Sequence, residues 1–196
     1  MRKQTKLVAV LSTAALLAIG ASMTSFAATG WAEEDGTWVY YNRDGERATD
    51  QWKKSGNNWY WLNSDGEMAI DQLIEDGDNY YYVDINGVMA ANQWVAIDNE
   101  DAGQDNEPDH YWYYFQANGK ALKNGDNAKV ALKTINGKKY AFDDEGKMLY
   151  GWVSEDNAER VDDTDGDGFK EGTYYFGGED DGAMTVGWLQ MDITYD

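Results

Sequence analysis

The sequence contains no cysteine, a single proline (Pro108) and a single histidine (His110) in 196 residues. Without cysteine no disulfide staples the fold, and thiol nucleophiles and thiolate metal sites are excluded. His110 stands beside Asp109 at the edge of an acidic insertion, where it reads as a solvated loop residue rather than a general base. No zinc-ligand spacing and no glycine-rich phosphate cradle occurs, and no carboxylate pair stands in an apolar setting that would split its pKa values. An enzyme is therefore not expected, and no cofactor is implied. Basic residues are also scarce: 16 Lys and Arg face 36 Asp and Glu, for a net charge of −20. Such a surface rejects nucleic acid and other polyanions and tolerates cations.

Long apolar runs are missing except at the start. Arg2, Lys3 and Lys6 form a basic head, Leu7 to Ala21 is mostly apolar, and Ser25-Phe26-Ala27 supplies small residues before a cut. This pattern reads as a secretory signal over residues 1–27, too short in its apolar run for a membrane span. The mature chain is expected to be secreted, with a net charge of about −23 because residues 1–27 hold three basic and no acidic residues. A cysteine-free exported chain with no lipidation cysteine or sorting motif fits a Gram-positive cell surface, held there non-covalently.

What the sequence has in excess is glycine, at 21 residues, and aromatic side chains, at 14% with nine Trp. They are periodic. Trp31, Trp52, Leu73 and Trp94 follow one another at intervals of 21, as do Trp38, Trp59 and Tyr80, and Gly45, Gly66 and Gly87. Self-similarity near twenty residues marks a repeat array. Six units follow over residues 30–50, 51–71, 72–92, 93–124, 125–150 and 151–186, and Gly187-Trp188 opens a seventh within the array of 28–196. The fourth and sixth units carry acidic insertions, Asn99 to Asp109 and Glu155 to Gly172, in the same hairpin turn. They read as long loops on one side of the array.

Inside a unit the period is two, which predicts strands. In Trp59-Tyr60-Trp61-Leu62, residues 59 and 61 face one way and residues 60 and 62 the other. A turn such as Lys54-Ser55-Gly56-Asn57-Asn58 separates this strand from the one around Trp52, and Asn63-Ser64-Asp65-Gly66 is a second turn. A hairpin of five-residue strands cannot bury its own aromatics and must stack on the next. The expected fold is all-β, a repetitive β-hairpin solenoid preceded by a signal peptide.

The second and fourth strand positions, such as Val39/Tyr41, Tyr60/Leu62 and Tyr113/Phe115, are apolar or aromatic in all six units and are expected to form the core. The first and third positions, Trp38/Tyr40, Trp59/Trp61, Tyr80/Tyr82 and Trp112/Tyr114, become Lys139/Ala141 in the fifth unit. A face that loses its aromatics while the pattern persists is expected to serve a ligand. Aromatic ring faces attract cations by about 0.5 to 2 kcal/mol per ring, and a quaternary ammonium suits them because it needs no hydrogen bonds. The same rings stack on sugars, or fill space between hairpins with no ligand at all, and the chemistry does not choose among these.

The pattern Gly30-Trp31…Trp38-Val39-Tyr40-Tyr41…Asp44-Gly45, and again Gln51-Trp52…Trp59-Tyr60-Trp61-Leu62…Asp65-Gly66-Glu67-Met68, resembles the choline-binding, or cell-wall-binding, repeat of Gram-positive surface proteins. The resemblance implies a hairpin solenoid whose partner is a choline-bearing teichoic acid or another cell-wall glycopolymer. It implies that Trp31 and Trp38 with Trp52 form one cage and Trp52 and Trp59 with Tyr80 a second, with Trp61 on the same face. Trp94 with Trp112, and Trp152 with Trp188, contribute to others. Met68, Met89, Met148 and Met184 fall where the family places a methionine near the pocket floor, although core packing accounts for them equally. Leu73 replaces the opening Trp of the third unit, Arg47 the Met of the first, and the fifth unit lacks both Trp, leaving two or three complete sites. The fifth unit, Thr134 to Phe142, is similar to glucan-binding repeats, so a glucan is the alternative ligand and a spacer presenting another domain the third reading. Asp163, Asp165 and Asp167 resemble the start of a calcium loop, but Tyr174 stands where the bidentate Glu belongs, so no metal is expected.

Overall fold

The computed structural model describes residues 29–104, 107–161 and 172–190. Residues 1–27, expected to be a secretory signal, and the trio Asp163, Asp165 and Asp167 lie outside the described residues. Twelve strands pair into six antiparallel hairpins: β1 (Gly30–Glu34) with β2 (Thr37–Tyr41), β3 (Gln51–Ser55) with β4 (Asn58–Leu62), and β5 (Gln72–Asp76) with β6 (Asn79–Val83). β7 (Gln93–Asp98) pairs with β8 (His110–Phe115), β9 (Lys133–Ile135) with β10 (Lys138–Tyr140), and β11 (Trp152–Ser154) with β12 (Thr173–Tyr175). No strand joins a neighbouring hairpin, so the described residues form six two-stranded sheets in a solenoid-like series.

The tight turns follow from their residues. Asp35-Gly36 and Asn136-Gly137 have positive φ at both positions, and Gly56-Asn57 and Gly77-Asp78 at the glycine alone. These are the primed turns whose twist matches paired strands, and their sequences are those that tolerate left-handed backbone. The two insertions replace this tight turn: residues 99–109 connect β7 to β8, and residues 155–172 connect β11 to β12. Asn99 closes the first of them, its amide donating to the Asp109 carbonyl at 3.0 Å and its side chain to the Pro108 carbonyl at 2.9 Å.

Successive hairpins are joined by a return segment with two different backbone bonds. The amide of Ala69 donates to the carbonyl of Trp61 in its own hairpin, at 2.9 Å. The amide one residue earlier, Met68, donates at 2.8 Å to Trp38 in the hairpin before. The second bond recurs as Met89 to Trp59, Ala121 to Tyr80, Met148 to Trp112 and Met184 to Lys139, all at 2.8 to 2.9 Å. This ladder fixes the register of the stack whatever side chain sits at either position.

Between hairpins lies a string of small cores. Trp61, Ala69, Ile74 and Val83 pack between the second and third hairpins, and Ala90, Tyr113, Phe115 and Ala121 between the third and fourth. Phe142 with Tyr140 and Ile135, then Phe176 with Val153 and Leu149, continue the series. The fourth strand position is nearly sealed in five units: Leu62, Val83, Phe115, Phe142 and Phe176 are each 0% exposed. The expected core face is therefore correct at that position. The opposite face divides: its first position stays open, with Trp59 40% exposed, while its third is buried at Trp61 and Ala141.

Candidate functional site

The register of each hairpin places the opening residue opposite the third strand position: Trp31 with Tyr40, Trp52 with Trp61, Leu73 with Tyr82, Trp94 with Tyr114 and Trp152 with Tyr175. The opening Trp then meets a ring of the next hairpin on its far side. Trp31 lies 5.3 Å from both Tyr40 and Tyr60, Trp52 5.2 Å from Trp61 and 5.1 Å from Tyr81, and Trp94 5.2 Å from Tyr114 and 4.9 Å from Tyr140. Interplanar angles of 59° to 81° across these pairs are edge-to-face or tilted packing, which is favourable for aromatic quadrupoles and leaves ring faces available.

A cavity opens where the first strand aromatic completes this arrangement. The first is lined by Trp31, Trp38, Tyr60 and Met68, and it is narrow, about 10 Å³, with purely apolar walls. The fourth hairpin repeats it with Trp94, Trp112, Tyr140 and Met148, in a wider pocket of about 290 Å³ that Asp180 and Asp181 also line. In the second set Trp52 packs on Tyr81, Trp59 is exposed at the edge, and the Met89 amide is bonded to the Trp59 carbonyl. Burial, with Asp76 second, pushes the Tyr81 phenol above its ordinary value, so this wall stays neutral.

The third wall differs from the expectation. Tyr60, not Trp52, closes the first cage, and Tyr81, not Tyr80, packs on Trp52 in the second. The reason is the stack: the next hairpin presents its second strand position to the cavity, while its own opening Trp begins the following cage. Trp61 is 8% exposed and belongs to the core between hairpins, not to an open face. Trp152 is buried against Tyr175, whereas Trp188 is fully exposed, so the structure does not bring this pair together as a cage. Met68 and Met148 line cavities, Met89 occupies the matching position, and Met184 packs against the core cluster of Val153 and Phe176. In the third set Leu73, Tyr80, Tyr113 and Ala121 supply neither Trp nor Met, and the fifth offers Lys139.

The missed walls left a trace in the sequence. The second strand position is aromatic in units two to six, as Tyr60, Tyr81, Tyr113, Tyr140 and Tyr174, but is Val39 in the first. Among the described residues no hairpin comes before the first, so Val39 closes no cavity there. Arg47 follows the same rule: where later units place Met or Ala under a preceding hairpin, it instead ion-pairs with Glu34 and bonds to Tyr41.

Electrostatics distinguish the cages. Glu33 is the cross-strand partner of Trp38 in the first, and Lys54 that of Trp59 in the second, with its ammonium 5.8 Å from the ring centroid. At the fourth, Trp112 Nε1 donates to Asp180 Oδ1 at 2.9 Å, and His110 Nε2 lies 3.0 Å from the same oxygen. These bonds, the Trp112 one first, hold the Asp180 carboxyl below the usual carboxylate range. Among the described residues no group of three or more His, Cys, Asp or Glu is placed to hold a metal ion, and no helix is long and apolar enough to cross a membrane.

The family model of the choline-binding repeat matches residues 48–94, and that of the cell wall binding repeat matches residues 111–121. The fold resembles that of choline binding protein F from Streptococcus pneumoniae, at 25% identity and a TM-score of 0.51, over 84% of this chain and 47% of that one. It resembles the modular autolysin LytC of the same organism at 23% identity and a TM-score of 0.53, over 84% of this chain and 30% of that one. The choline binding domain of Spr1274, also from that organism, is 33% identical over 48% of this chain and 95% of that domain, with a TM-score of 0.36. The chain thus spans less than half the length of the first two. Comparison with curated proteins gives no significant match.

Proposed function

Because the chain belongs to the choline-binding, or cell-wall-binding, repeat family, we propose that it holds a choline-bearing cell-wall glycopolymer, such as a teichoic acid, non-covalently at the cell surface. It is a non-catalytic repeat module. The observation that carries the reading is the first cavity: four apolar walls, Trp31, Trp38, Tyr60 and Met68, around a space with no polar lining. A trimethylammonium group needs no hydrogen bond and gains about 0.5 to 2 kcal/mol from each well-placed ring. The second set, Trp52, Trp59, Tyr81 and Met89, repeats the arrangement. Each cage draws on two hairpins, so a ligand there also bridges them. Several weak sites on one array gain by effective concentration along a polymer that repeats its own choline groups.

The test is a titration with choline chloride against a sodium chloride control, following Trp fluorescence and near-UV circular dichroism. Saturable changes at millimolar choline, diminished in Trp38→Ala and Trp59→Ala chains that retain their far-UV spectrum, support the cages. A flat response from a folded chain sinks the choline reading. If soluble α-glucan then protects the tryptophans from quenching, the ligand is a glycan.

A further inference from the structure

The fourth pocket has features that a quaternary ammonium does not use. Its aromatic part, Trp94, Trp112, Tyr140 and Met148, corresponds residue for residue to the first cage, but the space is about 290 Å³ against about 10 Å³ and its rim carries two carboxylates. Those carboxylates come from a third hairpin. In most units the turn after the second strand places glycine four residues beyond the fourth strand position, as Leu62 to Gly66 and Val83 to Gly87. In the sixth unit Gly182 lies six residues beyond Phe176. The longer turn carries Asp180 across the fifth unit to the side chains of Trp112 and His110 in the fourth.

The bonds that anchor Asp180 use one of its oxygens. Trp112 Nε1 and His110 Nε2 both meet Oδ1, and among the described residues no hydrogen bond or ion pair engages Oδ2. Asp181 stands beside it, 3.9 Å from the Lys138 ammonium. Where the turn glycine packs under the first and second cages, at Gly87 against Met68 and Gly119 against Met89, the two residues before it are Ile85-Asn86 and Ala117-Asn118. At the fourth pocket they are charged.

We propose that the fourth pocket selects a protonated primary amine over a quaternary ammonium, with the Trp94, Trp112 and Tyr140 rings taking its charge and Asp180 accepting its N–H bonds. A trimethylammonium is satisfied by ring faces alone and leaves the carboxylate facing methyl groups. An R–NH3+ group has three donors that rings do not fully satisfy, so it gains from a pre-oriented carboxylate at the pocket mouth. The extra width admits the chain that bears the amine or a water that bridges it. This inference rests on reading the inter-hairpin pockets as cation sites.

Ethanolamine and choline form the test pair, since they differ only in NH3+ against N(CH3)3+. Indole N–H signals of the 15N-labelled full chain are followed during separate titrations with each chloride salt. Ethanolamine is expected to shift the Trp94 and Trp112 signals saturably and at lower concentration than choline does. Asp180→Asn keeps an oxygen acceptor for Trp112 and removes the charge, so the ethanolamine midpoint at Trp112 should rise roughly fivefold. The choline response at Trp31 and Trp38 should be unchanged in that variant. Trp94 and Trp112 responding to choline at equal or lower concentration than to ethanolamine, or an ethanolamine midpoint indifferent to Asp180→Asn, overturns the proposal. Silence of Trp31, Trp38, Trp52 and Trp59 toward choline instead overturns the teichoic-acid reading, and the ethanolamine arm at Trp94 and Trp112 decides this proposal separately.

Discussion

A Cβ built on Gly87 would stand 3.0 Å from the Met68 Cε and 3.0 Å from the Ala69 carbonyl oxygen, on a backbone with φ of +75°. The glycine therefore meets two demands, a left-handed turn and a surface flat enough for the cage methionine of the previous unit to lie on. Gly87→Ala is expected to cost about 1 to 3 kcal/mol through strain and to displace Met68 from the first cage. Thermal denaturation reads the first effect, and a weaker choline response at Trp31 and Trp38 reads the second. Tyrosine gives a prediction on the alkaline side. Burial first, and a hydrogen bond to Glu107 second, push the Tyr111 phenol up to about 12 from an ordinary 10.0, and burial raises Tyr82 and Tyr113 further still. A raised folded-state pKa favours the neutral form, so this contribution is complete below the ordinary value and is lost as pH climbs toward the folded one. The denaturation midpoint should fall over that window, and fall less steeply in Tyr111→Phe.

At the scale of the hairpin, the opening Trp and the first strand aromatic differ in burial, which predicts different costs for their loss. Trp52 is wedged between Trp61 and Tyr81, and Trp52→Ala should cost roughly 3 kcal/mol in chemical denaturation. Trp59 is 40% exposed, so Trp59→Ala should stay within about 1 kcal/mol while choline binding at that cage is lost. The second hairpin also carries a cation of its own, the Lys54 ammonium 5.8 Å from the Trp59 ring centroid, which would compete with the proposed ligand for that ring. Lys54→Gln should therefore tighten choline at the second cage by roughly two- to fivefold, read from the Trp59 indole signal. The first cage, flanked by Glu33, has no such rival cation on its paired strand. Strand pairing of this kind was legible in the sequence because side-chain alternation and turn glycines fix it locally. The wall that the next hairpin supplies was not, because it depends on how far the return segment advances the stack.

For the whole molecule, each small core is shared by successive hairpins, so stability is close to a sum of unit and interface contributions. A ligand that bridges two hairpins strengthens that interface and no other. Choline at a hundred times its dissociation constant should add about 2.7 kcal/mol per occupied cage. The denaturation midpoint should accordingly rise in choline chloride above its value in sodium chloride of equal ionic strength. The control matters because a chain of net charge −20 is also stabilised when any salt screens its self-repulsion.

The amino-acid sequence alone determined the repeat, the hairpins, the sealed fourth strand position and the aromatic character of the sites, since each follows from spacing within about twenty residues. Tertiary structure alone decided which rings meet. Tyr60, Tyr81 and Tyr140 become cage walls because a backbone bond from the return segment, such as Met68 to Trp38, sets the offset between hairpins. The same stacking buries Trp61 and carries Asp180 to Trp112 over 68 residues of chain. Contacts at that separation depend on the sum of many small rotations between units, which no local pattern of residues states.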